Sequence, residues 1–178
     1  MIHLARHGQT AYNAEGRFQG HLPVPLDDTG RAQAAELGEA AARVEVRSLW
    51  CSPLARARET AAVVGARIGL EPAEDARFAE TDTGDWTGRS FAEIRAEDPD
   101  GFRRFQVSDP GFRYPGGESF AEQSARVQAG LADLRANRAA LPALVVCHRG
   151  VIRLALAAQT GEPDAGGREI PNAALVTL

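Results

Sequence analysis

The residue types that could do chemistry in this chain are two histidines, a set of arginines and a scatter of carboxylates. Arg6-His7-Gly8-Gln9-Thr10 follows a short apolar run at residues 1–6, and His148-Arg149-Gly150 follows Leu144-Val145-Val146-Cys147. Ser52-Pro53-Leu54-Ala55-Arg56 follows a third apolar stretch, and Glu80 comes just after Ala76-Arg77-Phe78. Such a set suits transfer of a phosphoryl group. A phosphate monoester is an anion that repels nucleophiles, so positive donors must neutralise it and match the spread charge of its transition state. A neutral imidazole nitrogen attacks phosphorus to give a phosphohistidine that water hydrolyses. The departing alkoxide needs a proton, which a carboxylic acid supplies. Gly8 and Gly150 lie close after the two histidines, where a missing Cβ lets the backbone bend and a ligand come near.

These residues need a frame that gathers them. Short strands are expected at residues 1–6, 47–51, 144–147 and 173–178, with helices at 31–43, 54–68, from 119 to about 138, and 151–160. Gly69 and Gly161 are helix stops. Ser90-Phe91-Ala92-Glu93 and Ser119-Phe120-Ala121-Glu122 are capping boxes that open helices. Residues 144–147 are apolar without alternation, as in a strand covered on both faces. Strand and helix in alternation predict an α/β fold, a three-layer sandwich with a largely parallel central sheet flanked by helices. Ligands of such sheets bind beyond the carboxyl ends of the strands, where the histidines and arginines fall. Stretches 83–89 and 108–118, rich in Gly, Pro and Asp, are expected loops. The organisation expected is a single domain, residues 1–178, with a small helical cap-like insertion at about 83–118.

Composition removes several alternatives. The net charge of −4 argues against a nucleic-acid partner. No apolar run reaches membrane-spanning length, and the opening residues lack a signal-peptide layout, so the cytoplasm is the expected location. No lysine occurs, which excludes Schiff-base and phosphate-loop lysine chemistry. An anion site must then be built from arginine, histidine and backbone N–H groups, and the planar guanidinium fork suits phosphate. Cys51 and Cys147 sit in apolar runs and are expected to be buried thiols. His3 and His21 have no metal-ligand spacing to other residues, so neither a metal nor a cofactor is expected.

The motifs taken together resemble the histidine phosphatase superfamily, in its phosphoglycerate-mutase-like branch, over essentially the whole chain. Leu4-Ala5-Arg6-His7-Gly8-Gln9-Thr10 is similar to the family's opening signature. Asn13, Gly16-Arg17-Phe18-Gln19-Gly20, Ser52-Pro53-Leu54-Ala55-Arg56-Ala57, Glu80, Pro115-Gly116-Gly117-Glu118-Ser119 and His148-Arg149-Gly150-Val151-Ile152-Arg153 follow in the family's order. The resemblance implies a phosphorylated His7, phosphoryl oxygens held by Arg6, Arg56 and His148, and Glu80 as general acid and then base. It also implies a substrate rim at Asn13, Gln19 and Gly20, and a small phosphorylated substrate. Pro23, Asp27-Asp28 and Arg149 depart from the pattern and are expected on the substrate side.

Other readings remain. A phosphomutase would use the same residues, although only about 35 residues separate Glu80 from the Gly-Gly-Glu-Ser loop, which makes a water-excluding cap harder to build. Cys147 to Arg153 matches the loose Cys-x5-Arg pattern of cysteine phosphatases, and a binding module without catalysis is a third possibility. Asp75, Asp82 and Asp85 compete with Glu80 for the acid role. Arg56 has a plainer reading as a helix-surface residue paired with Glu59. The aromatics Phe91, Phe102, Phe105, Phe112, Tyr114 and Phe120 read first as a subdomain core, and second as a substrate wall.

Overall fold

The computed structural model describes residues 1–161 and 169–178. Five strands form one sheet: β1 (Ile2–Arg6), β2 (Ser48–Cys51), β3 (Pro72–Glu74), β4 (Ala143–Cys147) and β5 (Leu175–Thr177). Their order is β3-β2-β4-β1-β5, and all neighbours are parallel except the antiparallel pair β1–β5. The sheet is thus α/β and largely parallel, as the alternating pattern predicts.

Helices α2 (Asp28–Ala41) and α3 (Ala55–Ile68) cover one face, and α6 (Phe120–Ala136) and α7 (Arg149–Thr160) cover the other. Strand geometry sends alternate side chains to opposite faces. On β4, Leu144 and Val146 join the α2/α3 core with Leu37, Leu49 and Val64. Val145 and Cys147 join the α6/α7 core with Phe78, Leu131 and Ile152. β4 lies between β1 and β2, so the segments leaving β1 and β4 emerge side by side at one end of the sheet.

A third cluster, built mainly of aromatics, lies apart from the sheet. It joins Phe18, Trp86, Ile94, Phe102, Phe112, Tyr114 and Phe120, with Phe91, Phe105 and Leu154 against it. Here the chain forms α4 (Phe91–Glu97) and α5 (Pro99–Gln106), after a short α1 (Ala11–Ala14) nearer the start. Both capping boxes form: Ser90 and Ser119 accept from the backbone of Glu93 and Glu122, whose side chains reach back.

Some boundaries differ from the sequence expectation. α2 begins three residues earlier than 31, because Asp27 is its N-cap and accepts from Gly30 N at 2.7 Å. Asp27 also accepts from Gln9 Nε2 at 3.1 Å. β5 spans only Leu175–Thr177, since Ala173 has a positive φ of 59° that breaks the extended run. β3 and α5 carry no expectation from the pattern. Only three residues pair in β3, and α5 follows its N-cap Asp98 directly, with Pro99 in its first turn.

Candidate active site

His7 is the first residue beyond β1. Its N–H continues the ladder to Cys147 O at 3.0 Å, and its carbonyl accepts from Asn172 Nδ2 at 3.1 Å. The ring is 3 % exposed. Nδ1 lies 2.7 Å from Gly8 O. A carbonyl only accepts, so Nδ1 carries the proton and Nε2 presents a lone pair. That lone pair faces Arg56 Nε, which donates to it at 3.2 Å. Burial, then the charges of Arg56 and Arg6, hold the imidazole well below its ordinary range. His7 is therefore a neutral base with its nucleophilic nitrogen on the pocket wall.

Arg56, the second residue of α3, is 1 % exposed and donates to Gly20 O at 2.9 Å and Leu22 O at 3.3 Å. The surface pair with Glu59 is not what places it. Gly20 serves this arginine: its φ of +48° is open to glycine, and a Cβ there would come 2.5 Å from Thr83 Oγ1. Arg6 donates from Nη1 to Ile170 O at 2.6 Å, while its buried Nε has no partner. Burial and then the charge of Arg149 bring Arg6 down to about 10, and burial brings Arg56 down to about 10.

His148 caps α7 and is fully buried. It stands behind His7, with ring centroids 5.1 Å apart, and is not part of the cavity wall. Its Nε2 is 2.7 Å from Ser52 Oγ. That hydroxyl also accepts from Leu54 N at 3.2 Å and ties the ring to the loop that follows β2. The other ring nitrogen, Nδ1, is buried without a partner. Burial and Arg56 keep this ring neutral as well.

Glu80 reaches the same cavity through a fixed carboxyl. Oε1 accepts from Thr81 N at 3.0 Å and Gln123 Nε2 at 3.1 Å, and Oε2 accepts from Gly150 N at 3.3 Å. Gln123 is fully buried, and its Oε1 takes the Thr81 hydroxyl proton, which fixes the amide orientation. The Glu80 carbonyl is held by Arg126 Nη2 at 3.1 Å, and Arg126 is clamped by Glu118 at 2.7 and 2.8 Å. Two of the competing carboxylates are engaged elsewhere. Asp75 pairs with Arg77 at 2.7 Å, Asp82 accepts from Gly84 N at 3.0 Å, and none of Asp75, Asp82 and Asp85 lines the cavity.

Asn13 Oδ1 lies 3.1 Å from Thr10 N, 3.1 Å from Thr10 Oγ1 and 3.2 Å from Asn172 Nδ2. The N–H donors of Thr10 and Asn172 fix this oxygen and leave the Nδ2 hydrogens for the pocket that Asn13 lines. The one Thr10 hydroxyl proton goes to the shorter contact, Gln19 Oε1 at 2.9 Å, and orients that amide. The far wall is apolar: Phe18, Phe91, Phe105, Tyr114, Phe120 and Leu154. Several aromatics thus belong to a core and to a wall, whereas Phe102 and Phe112 are core alone.

Two expectations need correction. Pro23, Asp27 and Asp28 do not line the pocket, because Asp27 is spent on capping α2. The close approaches that require glycine are made by the protein itself. A Cβ at Gly8 would lie 2.3 Å from Gly30 O, and one at Gly150 would lie 2.3 Å from Glu80 Oε1. Arg149 does line the pocket, as expected, whereas the polar wall residues Arg17, Thr81, Thr83, Ser108, Gln123 and Arg153 were not picked out as site candidates from the sequence. The arginines stood inside recognisable motifs, but Gln123 sits in a helix with no chemical signature.

Cys147 packs with Leu4, Val151 and Ile152 on the core side of β4. Burial pushes its thiol far above the ordinary range, and it does not reach the cavity. The Cys-x5-Arg reading lacks a nucleophile there. Among the described residues, no group of three or more His, Cys, Asp and Glu could hold a metal ion, and no helix is long and apolar enough to cross a membrane.

Residues 2–178 match the family described as histidine phosphatase superfamily (branch 1). A glucosyl-3-phosphoglycerate phosphatase of Mycobacterium tuberculosis is 36% identical over 157 residues, covering 84% of this chain and 70% of that protein. The Klebsiella pneumoniae protein named probable phosphoglycerate mutase GpmB is 36% identical over 149 residues, covering 83% and 69%. A solved mycobacterial glucosyl-3-phosphoglycerate phosphatase in complex with VO3 superposes with a TM-score of 0.88 at 33% identity, covering 98% of this chain and 90% of that one.

Proposed function

The chain belongs to the histidine phosphatase superfamily, and from that premise we propose that it hydrolyses the phosphate monoester of a small metabolite through a phosphohistidine on His7. The observation that carries this reading is the pairing of a neutral His7, its Nε2 lone pair facing the pocket, with Arg56 against that same nitrogen.

In the first step Arg56 Nε turns its N–H from His7 to the phosphoryl group, and the freed Nε2 lone pair forms a bond to phosphorus as the bond from phosphorus to the alcohol oxygen breaks. Arg6 and Arg56, which line the cavity, meet the phosphoryl oxygens, and His148 supports the His7 ring from behind. Protonated Glu80 gives its proton to the departing oxygen. In the second step water attacks the phosphohistidine, Glu80 takes a proton from it, and inorganic phosphate leaves with His7 neutral again. Of the two Glu80 oxygens, Oε1 holds two N–H donors and Oε2 holds one long contact, so Oε2 is the one that exchanges the proton. Asn13, Gln19 and the aromatic wall meet the alcohol half, and residues 83–118 act as a cap over it. Hydrolysis is favoured over mutase action by the short segment between Glu80 and Gly116. The reading includes metal-independent turnover, because the arginines supply the positive field, and a place in the cytoplasm.

Rapid quench with a radiolabelled phosphomonoester tests it. The expected product is an acid-labile, base-stable phosphoenzyme that disappears in His7→Ala. Label that persists in His7→Ala, or that sits on Cys147, overturns the reading.

A further inference from the structure

The pocket wall is over-supplied with positive charge. Arg6, Arg17, Arg56, Arg149 and Arg153 line it against one carboxylate, Glu80. Most of these guanidinium groups are engaged. Arg56 is bound to His7 and two carbonyls, Arg17 donates to Gly88 O at 2.9 Å, and Arg153 donates to Gln106 O at 3.0 Å. Arg149 differs, making no hydrogen bond or ion pair with any described residue.

Its position is unfavourable for a cation in two independent ways. Arg149 is the first residue of the twelve-residue helix α7, where the unpaired N–H groups and the aligned peptide dipoles favour negative charge. Its charge also bears on Arg6, a neighbour of the same sign. An anion bound at Arg149 would reverse both. In the reading above the phosphoryl group on His7 is already met by Arg6 and Arg56, which leaves Arg149 for a different anion. With Arg6 and Arg153 it belongs both to the catalytic cavity and to an adjoining groove, where these three arginines outnumber one exposed carboxylate, Glu169.

We propose that Arg149 binds a second anionic group, a carboxylate or a further phosphate, carried by the alcohol half of the substrate, so that the preferred substrates are phosphomonoesters with two anionic centres. This rests on the reading of His7, Arg6 and Arg56 as the phosphoryl site. The aromatic wall then shapes the space between the two anions, and Arg149 sets how far apart they stand.

The test compares kcat/KM for three small phosphate esters: 3-phosphoglycerate with a carboxylate, a propane-1,3-diol bisphosphate with a second phosphate, and glycerol 3-phosphate with neither. At low salt at least one doubly anionic ester is expected to exceed glycerol 3-phosphate by roughly 10- to 100-fold, the usual worth of a charge-assisted hydrogen bond. Which of them does so identifies the group. That preference should shrink in high salt. Arg149→Gln should lose at least ~10-fold more on the preferred ester than on glycerol 3-phosphate, and Arg149→Lys should retain part of the difference. A wild-type enzyme that treats all three alike overturns the proposal, as does an Arg149→Gln variant that slows all three by one factor. Phosphoenzyme on His7 from every ester, without a preference, refutes this inference alone. No phosphoenzyme from any ester refutes the underlying reading.

Discussion

Gly150→Ala is a single-methyl perturbation aimed at Glu80, the proposed general acid. A Cβ at this position would sit 2.3 Å from Glu80 Oε1 and 3.2 Å from Gln123 Nε2. Real Cβ contacts essentially never fall below 3.0 Å and become ordinary at 3.4 Å, so the carboxylate must retreat by about 0.7 to 1.1 Å. It cannot retreat freely, because Thr81 N and Gln123 Nε2 both hold Oε1. A misplacement of about 1 Å costs on the order of 100-fold in rate. The backbone itself accepts the change. Gly150 is absent from the positive-φ glycines and lies in the first turn of α7, where alanine is favoured over glycine by about 1 kcal/mol. The expected result is a fall of about 100-fold in the single-turnover rate on an alkyl phosphate, with the melting temperature within a few degrees of wild type. A nitroaryl phosphate, whose leaving group hardly needs a proton, should lose much less. Glu80→Gln should show the same split. A Gly150→Ala enzyme with wild-type rate on the alkyl ester refutes the reasoning, and so does an equal loss on both esters.

Gln123→Leu removes one N–H donor from Glu80 Oε1 while keeping the buried volume, and should lower the single-turnover rate on alkyl esters by roughly 10-fold; equal rates in a rapid-quench comparison would contradict it. His7 and His148 are both held below the ordinary histidine range by burial and Arg56. The unfolded chain therefore binds more protons below about pH 6.5, and stability falls as pH drops through that value, by up to about 1.4 kcal/mol per unit for each ring. Urea melts between pH 7.5 and 5.5 should show this slope, and His7→Gln should flatten it. Iodoacetamide should leave activity intact, since both thiols are buried and raised, Cys51 to about 11; inactivation with label on Cys147 would contradict this. Exhaustive chelation should leave turnover unchanged; loss that magnesium or zinc restores would contradict the metal-independent reading.

Much of this protein was legible in the order of residues because the deciding interactions are local. The two capping boxes rest on side chains three residues apart, and the helix stops at Gly69 and Gly161 rest on a left-handed φ that glycine adopts freely. The unbroken apolar run of β4 marked a strand covered on both faces. The ordered motifs around His7, Arg56, Glu80 and His148 named the chemistry before any distance was known. Tertiary structure alone decided matters that depend on partners far apart in the chain. Glu80 differs from Asp75, Asp82 and Asp85 only in meeting Gln123 and Gly150, 43 and 70 residues away. The local pattern at Arg56 allows a surface pair with Glu59 beside the site role, and the choice is made only when the chain brings Gly20 and His7 against it. Gly150 needs to be glycine because of Glu80, Asp27 belongs to a helix cap and not to a substrate, and Arg149 is distinguished by what does not touch it. The physical reason is the same in each case. Pattern and propensity act over a turn or a strand, whereas the fate of a polar side chain in a pocket depends on which distant group packing brings within three ångströms of it.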